Sequence, residues 1–296
     1  MKKYFQIHSH ILLSIAFFAL LTSCSSISTN TPTPSPTDTI TPTDIPTPTS
    51  TPRSREFWGK PSYSPNGDWL ASRFKLFEGN LIYMSFAVER LDGTKKWEIK
   101  KIPVENKPPY KNFPAPFMWS KDGETLYFVN DAFQDGCIYY PYLGEKLFSL
   151  NLKSGEIVTI LDEFAYEIRF SPDESKIAYF GSGDTGLQIL DLATGNTIEF
   201  EYLYPDTHAN QYNLVWAPDN NQLVFTISFD TCTDERATSI VLVNISDNSQ
   251  QVLIDEDDRR IYAKEWLDES TILATDWSEN FWFINPSAGN IVSANK

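Results

Sequence analysis

The sequence predicts an all-β fold, a β-propeller of five four-stranded blades, from three observations. A segment anchored by an aromatic residue recurs five times, at intervals of 56, 51, 46 and 50 residues. A second pair of short alternating runs follows each copy, joined by a turn that contains Gly or Asn. No amphipathic helix of convincing length interrupts these runs. Four short strands repeated about every fifty residues are typical of a propeller, whose radial closure leaves few free edges.

The recurring segment consists of a strand, a polar turn and a second strand. Its first runs end at Tyr63, Trp119, Phe170, Trp216 and Trp266. In the third copy the turn contains Ser171, whose equivalents are Ser64 and Ser120 but Ala217 and Leu267. A residue repeated on a turn is better explained by backbone hydrogen bonding than by nucleophilic catalysis. We therefore interpret the Ser-Pro-Asp run as a turn and not as a reactive site.

These repeats resemble the WD-repeat-like motif of TolB-type propellers. The runs that carry the resemblance are FSPDESKIAY (170–179) and DLATG (191–195), and it extends over about residues 56–296. The resemblance implies the fold and an extracytoplasmic bacterial setting, but not a biochemical role. The sequence departs from the motif at Ala217 and at Leu267. Six blades, with one degenerate blade inside a long insertion, are the alternative to five.

The first residues predict a lipoprotein signal peptide. Lys2 and Lys3 precede the apolar run 11–21, whose helical rise of about 16 Å is too short to span a bilayer core of about 30 Å. The following Leu-Thr-Ser-Cys resembles the lipobox of bacterial lipoproteins, which implies cleavage before Cys24 and acylation of its thiol. A membrane lipid is then a partner, and the protein is anchored outside the cytoplasm to the cell membrane or outer membrane. An ordinary cleaved signal is the alternative.

The expected organisation has three parts. A signal peptide (1–23) precedes a disordered linker rich in Thr, Pro and Ser (24–55), and the propeller domain (56–296) follows. The blades are expected at about 56–104, 105–161, 162–203, 204–254 and 255–296.

The chain is strongly acidic. Its formal net charge is −15, and loss of residues 1–23 leaves 22 Lys and Arg against 39 Asp and Glu, or −17. Such a body repels phosphate backbones, so no nucleic-acid partner is expected. No cofactor is expected either, although a bound cation such as calcium is left open.

No catalytic residue is predicted, although the sequence leaves an enzymatic activity open. His208 is the one histidine after the signal peptide and no G-x-S-x-G is present, so neither a His-rich metal site nor an α/β-hydrolase site is expected. The alternative is a carbohydrate-active or sugar-binding five-bladed propeller that uses channel carboxylates. Glu167 and Glu265 are the acids on the predicted inner strands of the later blades.

A ligand-binding face is predicted where the second strand connects to the third and the fourth to the next blade. Acids recur after the second strands, blade two has a tyrosine-rich insert, and Tyr204 and the acidic run 255–258 fall on this side. Loops on a rigid scaffold often carry binding residues, and tyrosine is favoured at binding hot spots. The predicted residues are Asp131, Tyr139, Tyr140, Tyr142, Asp184, His208, Asp230 and Asp276. We expect a protein, peptide or glycan ligand; polar turns for the aspartates and inter-blade packing for the tyrosines are the alternatives.

Cys137 and Cys232 lie in the two enlarged loops of this face. We hypothesise a disulfide across the channel mouth, which requires a Cα separation below about 7 Å. Two unrelated buried thiols are the alternative.

Overall fold

The computed structural model describes residues 54–57, 59–78, 81–104, 113–131, 143–181, 185–205, 209–229 and 237–294. These ranges belong to one compact unit, Ser50–Lys296, and their regular structure consists of β-strands. Within them no helix has the length and apolar character needed to cross a membrane. The signal peptide and Cys24 lie outside the described residues.

The first sheet contains five strands, of which the first two share one position. They are β1 (Ser54–Phe57), β2 (Ser62–Tyr63), β3 (Trp69–Glu78), β4 (Leu81–Arg90) and β5 (Lys96–Val104). Both β1 and β2 pair antiparallel with β3, through Phe57 with Phe74 and through Tyr63 with Leu70. Together they form the inner strand of the first blade, and β1 begins at Ser54, within the segment predicted as linker.

The second and third blades follow with four strands each. They are β6 (Phe113–Trp119), β7 (Thr125–Asp131), β8 (Leu143–Asn151) and β9 (Ile157–Leu161), then β10 (Ala165–Phe170), β11 (Lys176–Gly181), β12 (Leu187–Asp191) and β13 (Thr197–Glu199). Within each blade consecutive strands pair antiparallel. A short pairing of β10 with β8 joins the two blades into one continuous sheet.

The fourth and fifth blades are separate four-stranded sheets. They are β14 (Asn210–Trp216), β15 (Gln222–Ser228), β16 (Thr238–Asn244) and β17 (Ser249–Asp257), then β18 (Tyr262–Asp268), β19 (Thr271–Thr275), β20 (Phe281–Asn285) and β21 (Asn290–Ser293). The described strands therefore form five antiparallel units in chain order, which confirms the predicted all-β architecture of five blades.

The hydrophobic core lies between consecutive blades. One buried cluster joins blades one and two, and three further clusters join each following pair. Phe86 contacts Phe128 edge-on at 5.3 Å, and Phe180 contacts Phe225 in the same way at 5.4 Å. The core residues of the described strands thus pack against the blade before or the blade after their own, whereas outer strands such as β9 and β21 stay largely exposed.

In blades two to five the aromatic anchor contacts the preceding blade, whereas Tyr63, the anchor of blade one, is 58% exposed. The indole Nε1 of Trp119 donates to Ser62 Oγ at 2.8 Å, and the indoles of Trp216 and Trp266 donate to the backbone carbonyls of Arg169 (3.1 Å) and Val215 (3.2 Å). These three tryptophans are less than 10% exposed, so the bonds are formed in partly desolvated positions. In blade three the anchor is Phe170, whose ring lies 4.5 Å from that of Tyr127 in blade two.

The Ser-Pro-Asp run is a turn, as predicted. Ser171 Oγ donates to Asp173 Oδ1 at 2.6 Å and accepts the backbone N–H of Lys176 at 2.9 Å, and the serine is 2% exposed. In the fourth blade, which lacks the serine, Asp219 Oδ1 accepts the equivalent N–H of Gln222 at 3.1 Å. The serine is therefore used by its own turn and is not available as a nucleophile.

The same turns also contact each other across blades. Asn66 Nδ2 donates to the carbonyl of Asp122, Glu174 accepts the N–H of Lys121 at 3.0 Å, and Asn220 Oδ1 accepts the N–H of Asp173 at 2.9 Å. Glu174 and Asn220 both hold a φ of 61°, a left-handed conformation that glycine adopts at the equivalent turn position in blades one and two. The inter-blade hydrogen bond compensates for that strain in blades three and four.

We predict that the Trp119–Ser62 bond stabilises the fold measurably. Trp119→Phe and Ser62→Ala are each expected to lower the free energy of unfolding, and their coupling energy in a double-mutant cycle is expected to be about 1 kcal/mol. Urea unfolding of the four proteins measures this coupling. Additive effects within about 0.3 kcal/mol would show that the bond does not hold the two blades together.

Candidate functional site

Two faces follow from the strand directions. The loop face contains the connections from second to third strands and from each fourth strand to the next blade. The turn face contains the Ser-Pro-Asp turns and the hairpins between third and fourth strands. The described part of the loop face comprises segments 162–164, 200–205, 258–261 and 276–280 with the adjoining strand ends.

Two of the predicted face residues belong to the described part of the chain. Strand β7 ends at Asp131, so its backbone reaches the loop face, and Asp276 follows β19 on the same face. The others fall outside the described residues, namely Tyr139, Tyr140, Tyr142, Asp184, His208 and Asp230, as do Cys137 and Cys232. Their roles, and the disulfide, stay predictions.

Asp276 is bonded within its own turn. Its Oδ1 accepts the backbone N–H groups of Ser278 and Asn280 at 2.9 Å, and its Oδ2 accepts the Asn280 amide at 3.0 Å and the Trp282 indole at 3.3 Å. Burial raises the pKa of Asp276, but the hydrogen bonds from these three residues outweigh burial and lower the pKa below its usual value. This is the role of a polar turn residue, and a ligand contact of Asp276 stays a prediction.

Arg259 connects that turn to the fourth blade. Its guanidinium Nε donates to Asp257 Oδ1 at 2.9 Å and its Cζ lies 4.6 Å above the ring of Trp282. The hydrogen bond to Asp257 raises the pKa of Arg259, and the same bond lowers the pKa of Asp257. Ion pair and cation–π contact together fix the connection between blades four and five. Arg259 and Trp282 are 23 residues apart, so no local sequence pattern indicates this contact.

Tyr204 and Asp255, both expected on this face, are in contact. The Tyr204 hydroxyl donates to Asp255 Oδ1 at 2.8 Å, and the ring lies edge-on to Phe229 at 5.0 Å. Ser239 Oγ also lies 3.2 Å from Asp255 and accepts the N–H of Glu256 at 2.9 Å. Tyr204 therefore links the connection that enters the fourth blade to the one that leaves it. Its ring packs against Phe229 while its hydroxyl group lies at the surface of the loop face.

Exposed acids remain beside these contacts. Asp255, Glu256 and Asp258 are exposed at the end of β17 and in the connection that follows. Trp277, in the adjacent turn of blade five, is 61% exposed. The described loop face thus offers carboxylates and a large aromatic surface to solvent.

The inner wall holds a buried carboxylate on β10. Glu167 is 0% exposed and has a φ of 54°, at a bulge where the register of β10 against β11 shifts. Arg169 Nη2 lies 3.2 Å from Glu167 Oε2, and the backbone N–H groups of Asn213 and Leu214 face the carboxylate, but none of these donors has good hydrogen-bond geometry to it. Burial raises the pKa of Glu167, opposed by the charge of Arg169 and by the facing N–H groups of Asn213 and Leu214.

Glu265, the other inner acid, lies in a different environment. It is exposed on β18 of the fifth blade, whereas Glu167 is buried on the third. The charged residue that acts on the pKa of Glu167 is Arg169, with no second carboxylate among the described contributors. Glu167 and Glu265 thus lie on non-consecutive blades and differ in exposure.

A cavity of about 230 Å³ lies on the turn face between blades one and two. Trp69, Arg90, Lys95, Glu124 and Lys153 contribute to its lining. Its lysines are bonded internally, Lys95 to the carbonyl of Lys153 at 2.9 Å and Lys153 to Glu124 at 2.6 Å. Among the described residues, no group of three or more His, Cys, Asp or Glu side chains is arranged to hold a metal ion.

Comparison with known proteins supports the fold. A scan against protein-family models and a search of curated proteins both return no match. Dipeptidyl peptidase 4 of Porphyromonas gingivalis superposes with a TM-score of 0.51 at 11% identity, over 79% of this chain and 39% of that chain. The β-propeller domain of the Trilobed protease from Pyrococcus furiosus gives 0.48 at 13% identity, over 81% and 71%. An oligogalacturonate lyase gives 0.47 at 12% identity, over 81% and 60%.

The strand topology, together with the similarity to the Porphyromonas peptidase, shows the fold class of the protein. The chain spans about two fifths of the Porphyromonas peptidase and three fifths of the lyase. Identities this low show the fold and not an activity. With five antiparallel blades of four strand positions each in chain order, the chain is a β-propeller protein.

We predict that Glu167 makes stability fall as pH rises. Since its folded-state pKa is raised, its contribution is complete below the unfolded pKa of about 4.3 and is lost as pH rises through the folded value. Glu167→Gln is therefore expected to raise the Tm at pH 7.5 and to raise it less at pH 4. Thermal unfolding at both pH values measures this, with Glu265→Gln as the exposed control. An equal change at both pH values would contradict the raised pKa.

Proposed function

We propose that this chain is an extracytoplasmic lipoprotein, anchored through acylated Cys24, whose propeller is a non-catalytic binding module for a protein or peptide. The lipobox-like run before Cys24 and the Pro-rich linker support the anchoring, because the linker extends away from the lipid. The repeated serines that resemble nucleophiles are used in turns, which supports a role in binding.

The observation that carries this proposal is the acidic and aromatic loop face. Asp255, Glu256 and Asp258 are exposed on this face, Trp277 is exposed on the same face, and the chain has a net charge of −15. Such a surface favours partners with clustered Lys or Arg, through attraction over about 10 Å and contact with the indole ring. We therefore propose a partner with a basic surface, while a glycan ligand is the competing outcome of the experiments.

A carbohydrate-active enzyme is the second candidate from the sequence. It requires two carboxylates at about 5–9.5 Å across the reacting bond. Glu167 is instead paired with Arg169, and Glu265 lies two blades away. We therefore give preference to the binding module.

We predict that charge on the loop face sets affinity for a basic partner. The probe is a peptide of five lysines alternating with glycines, and the protein is the full-length chain in mild detergent. Glu256→Gln/Asp258→Asn is expected to weaken binding about fivefold at low salt, since each exposed pair contributes about 0.2–1 kcal/mol. Fluorescence anisotropy at two salt concentrations measures the affinity.

The matched control is Glu156→Gln/Glu269→Gln, which removes two exposed acids from the turn face. We expect the control to bind the peptide within about twofold of the unmodified protein. Equal weakening by both double variants would mean that net charge alone attracts the peptide, and the loop-face proposal would be rejected. Binding of neutral glycans with no response to the lysine peptide would favour the sugar-binding alternative.

We predict that Cys24 carries the membrane anchor. Cys24→Ala is expected to move the protein from the membrane fraction to the aqueous phase of a detergent partition, because the acyl chains provide the anchoring energy. Intact-mass spectrometry of the unmodified protein is expected to show a chain that begins at Cys24 with acyl groups attached. A mature N-terminus elsewhere, without added lipid, would contradict the anchoring.

A further inference from the structure

The gap between the inner strands of blades three and four contains two buried polar side chains, Glu167 and Gln211, with acceptor atoms that lack a well-formed hydrogen bond. Glu167 is 0% exposed and Gln211 2% exposed, yet neither oxygen of Glu167 nor Oε1 of Gln211 receives a hydrogen bond from the described residues. Buried polar atoms are almost always hydrogen-bonded, because leaving them unpaired is costly. Two such side chains on neighbouring strands are therefore an exception that calls for an explanation.

Both side chains face this gap. Gln211 pairs with Ile227 across the sheet, and Ile227 belongs to the core cluster shared with Phe180 and Leu187 of blade three. Cross-strand partners share one face of a sheet, so Gln211 is directed at blade three. Glu167, from blade three, faces the backbone N–H groups of Asn213 and Leu214 on β14.

Glu167 on β10 and Gln211 on β14 also lie at similar heights along their strands. Asn213 lies two residues after Gln211 on β14, a rise of about 7 Å. The Trp216 indole, bonded to the carbonyl of Arg169 at 3.1 Å, fixes the alignment of β14 against β10. Glu167 and Gln211 therefore both lie in the gap between these two inner strands, near the loop-face ends of the strands, and we call this gap the recess.

The blade repeat does not require an acid at this position. The residues equivalent to Glu167 are Pro116, Asn213 and Ala263 in blades two, four and five. These blades have the same inner-strand register shift without a carboxylate. The blade repeat thus does not require the buried charge of Glu167, and burying that charge costs free energy of folding.

Arg169 pairs with the carboxylate, donates to the carbonyl of Ile168 at 3.1 Å, and is itself partly exposed to solvent. Its guanidinium lies 3.2 Å from Glu167 Oε2, and its side chain is 27% exposed while that of Glu167 is 0% exposed. The Arg169 side chain is long and flexible, so it can turn outward and leave its place to another cation. In the unliganded protein, Arg169 then occupies the place that a lysine or arginine side chain of the partner takes on binding.

We infer that this recess receives one lysine or arginine side chain of the partner, with Glu167 as the counter-charge and Gln211 as a second acceptor. This inference rests on the proposed function, since it identifies the chemical group that the binding module recognises. An ammonium or guanidinium supplies several N–H donors to a site that lacks them. The acidic loop face attracts the basic partner by charge, and the recess discriminates a positively charged side chain from an uncharged one.

The experiment uses the full-length chain in mild detergent and two probes. One is acetyl-Gly-Gly-Lys-Gly-Gly-amide, with a single positive charge, and the other is the same peptide with Nε-acetyl-lysine. Isothermal titration calorimetry is expected to show about tenfold weaker binding of the acetylated peptide, as expected for loss of a charged hydrogen-bonded contact. Glu167→Gln is expected to abolish this discrimination, and Glu265→Gln, the inner-strand control, to retain it.

A second variant keeps the test independent of the charge at Glu167. Gln211→Met fills a similar volume without the acceptor and is expected to weaken binding of the lysine probe several-fold without affecting the acetylated one. Discrimination that is absent in the unmodified chain, or unchanged in Glu167→Gln, overturns the inference. The lysine-rich peptide and the Glu256→Gln/Asp258→Asn variant test the proposed function separately, so loop-face binding that persists while discrimination fails rejects the recess alone.

Discussion

The structure depends on one repeated contact, the insertion of an inner-strand aromatic into the preceding blade. A single four-stranded blade cannot bury both of its faces, so each sheet is stable only when its neighbours cover it. Three tryptophans contact the preceding blade in two ways. The ring fills the inter-blade core, and the indole N–H donates a hydrogen bond to the neighbouring inner strand, at Trp119, Trp216 and Trp266. Phe170 keeps only the packing, which indicates that ring burial is the indispensable part.

The repeating parts of the fold were predictable because their causes are local. Aromatic anchors, Ser-Pro-Asp turns and Gly-containing hairpins each specify their own conformation within a few residues, as the hydrogen bonds of Ser171 and Asp191 show. The start of the first blade was not predictable in this way. Ser54–Phe57 follows a Pro-rich polar segment, and it becomes a strand because it pairs with Phe74–Phe77, about twenty residues later.

The candidate site was predictable only as a location. The loop face could be named from strand counting, and Tyr204 and Asp255 meet there. The contact of Arg259 with Trp282 and the burial of Glu167 depend on tertiary packing and on an inner-strand bulge. A bulge shifts the alternation of side chains, so period-two reasoning assigns residues beyond it to the wrong face. For that reason the sequence pattern does not indicate Gln211 as a site residue, although its strand was correctly predicted.

The bulge also explains how a rigid repeat accommodates a specific site. Inner-strand register shifts occur in blades two to five, so the backbone departs from regular pairing at an equivalent place in each. The side chain at that place is not fixed by the repeat, as Pro116 and Ala263 show beside Glu167. Because the anchors and turns already stabilise each blade, a buried carboxylate can be tolerated at one bulge without loss of the fold. The positions where the repeats differ, such as this bulge, are therefore the places where the scaffold accepts residues that its own stability does not require.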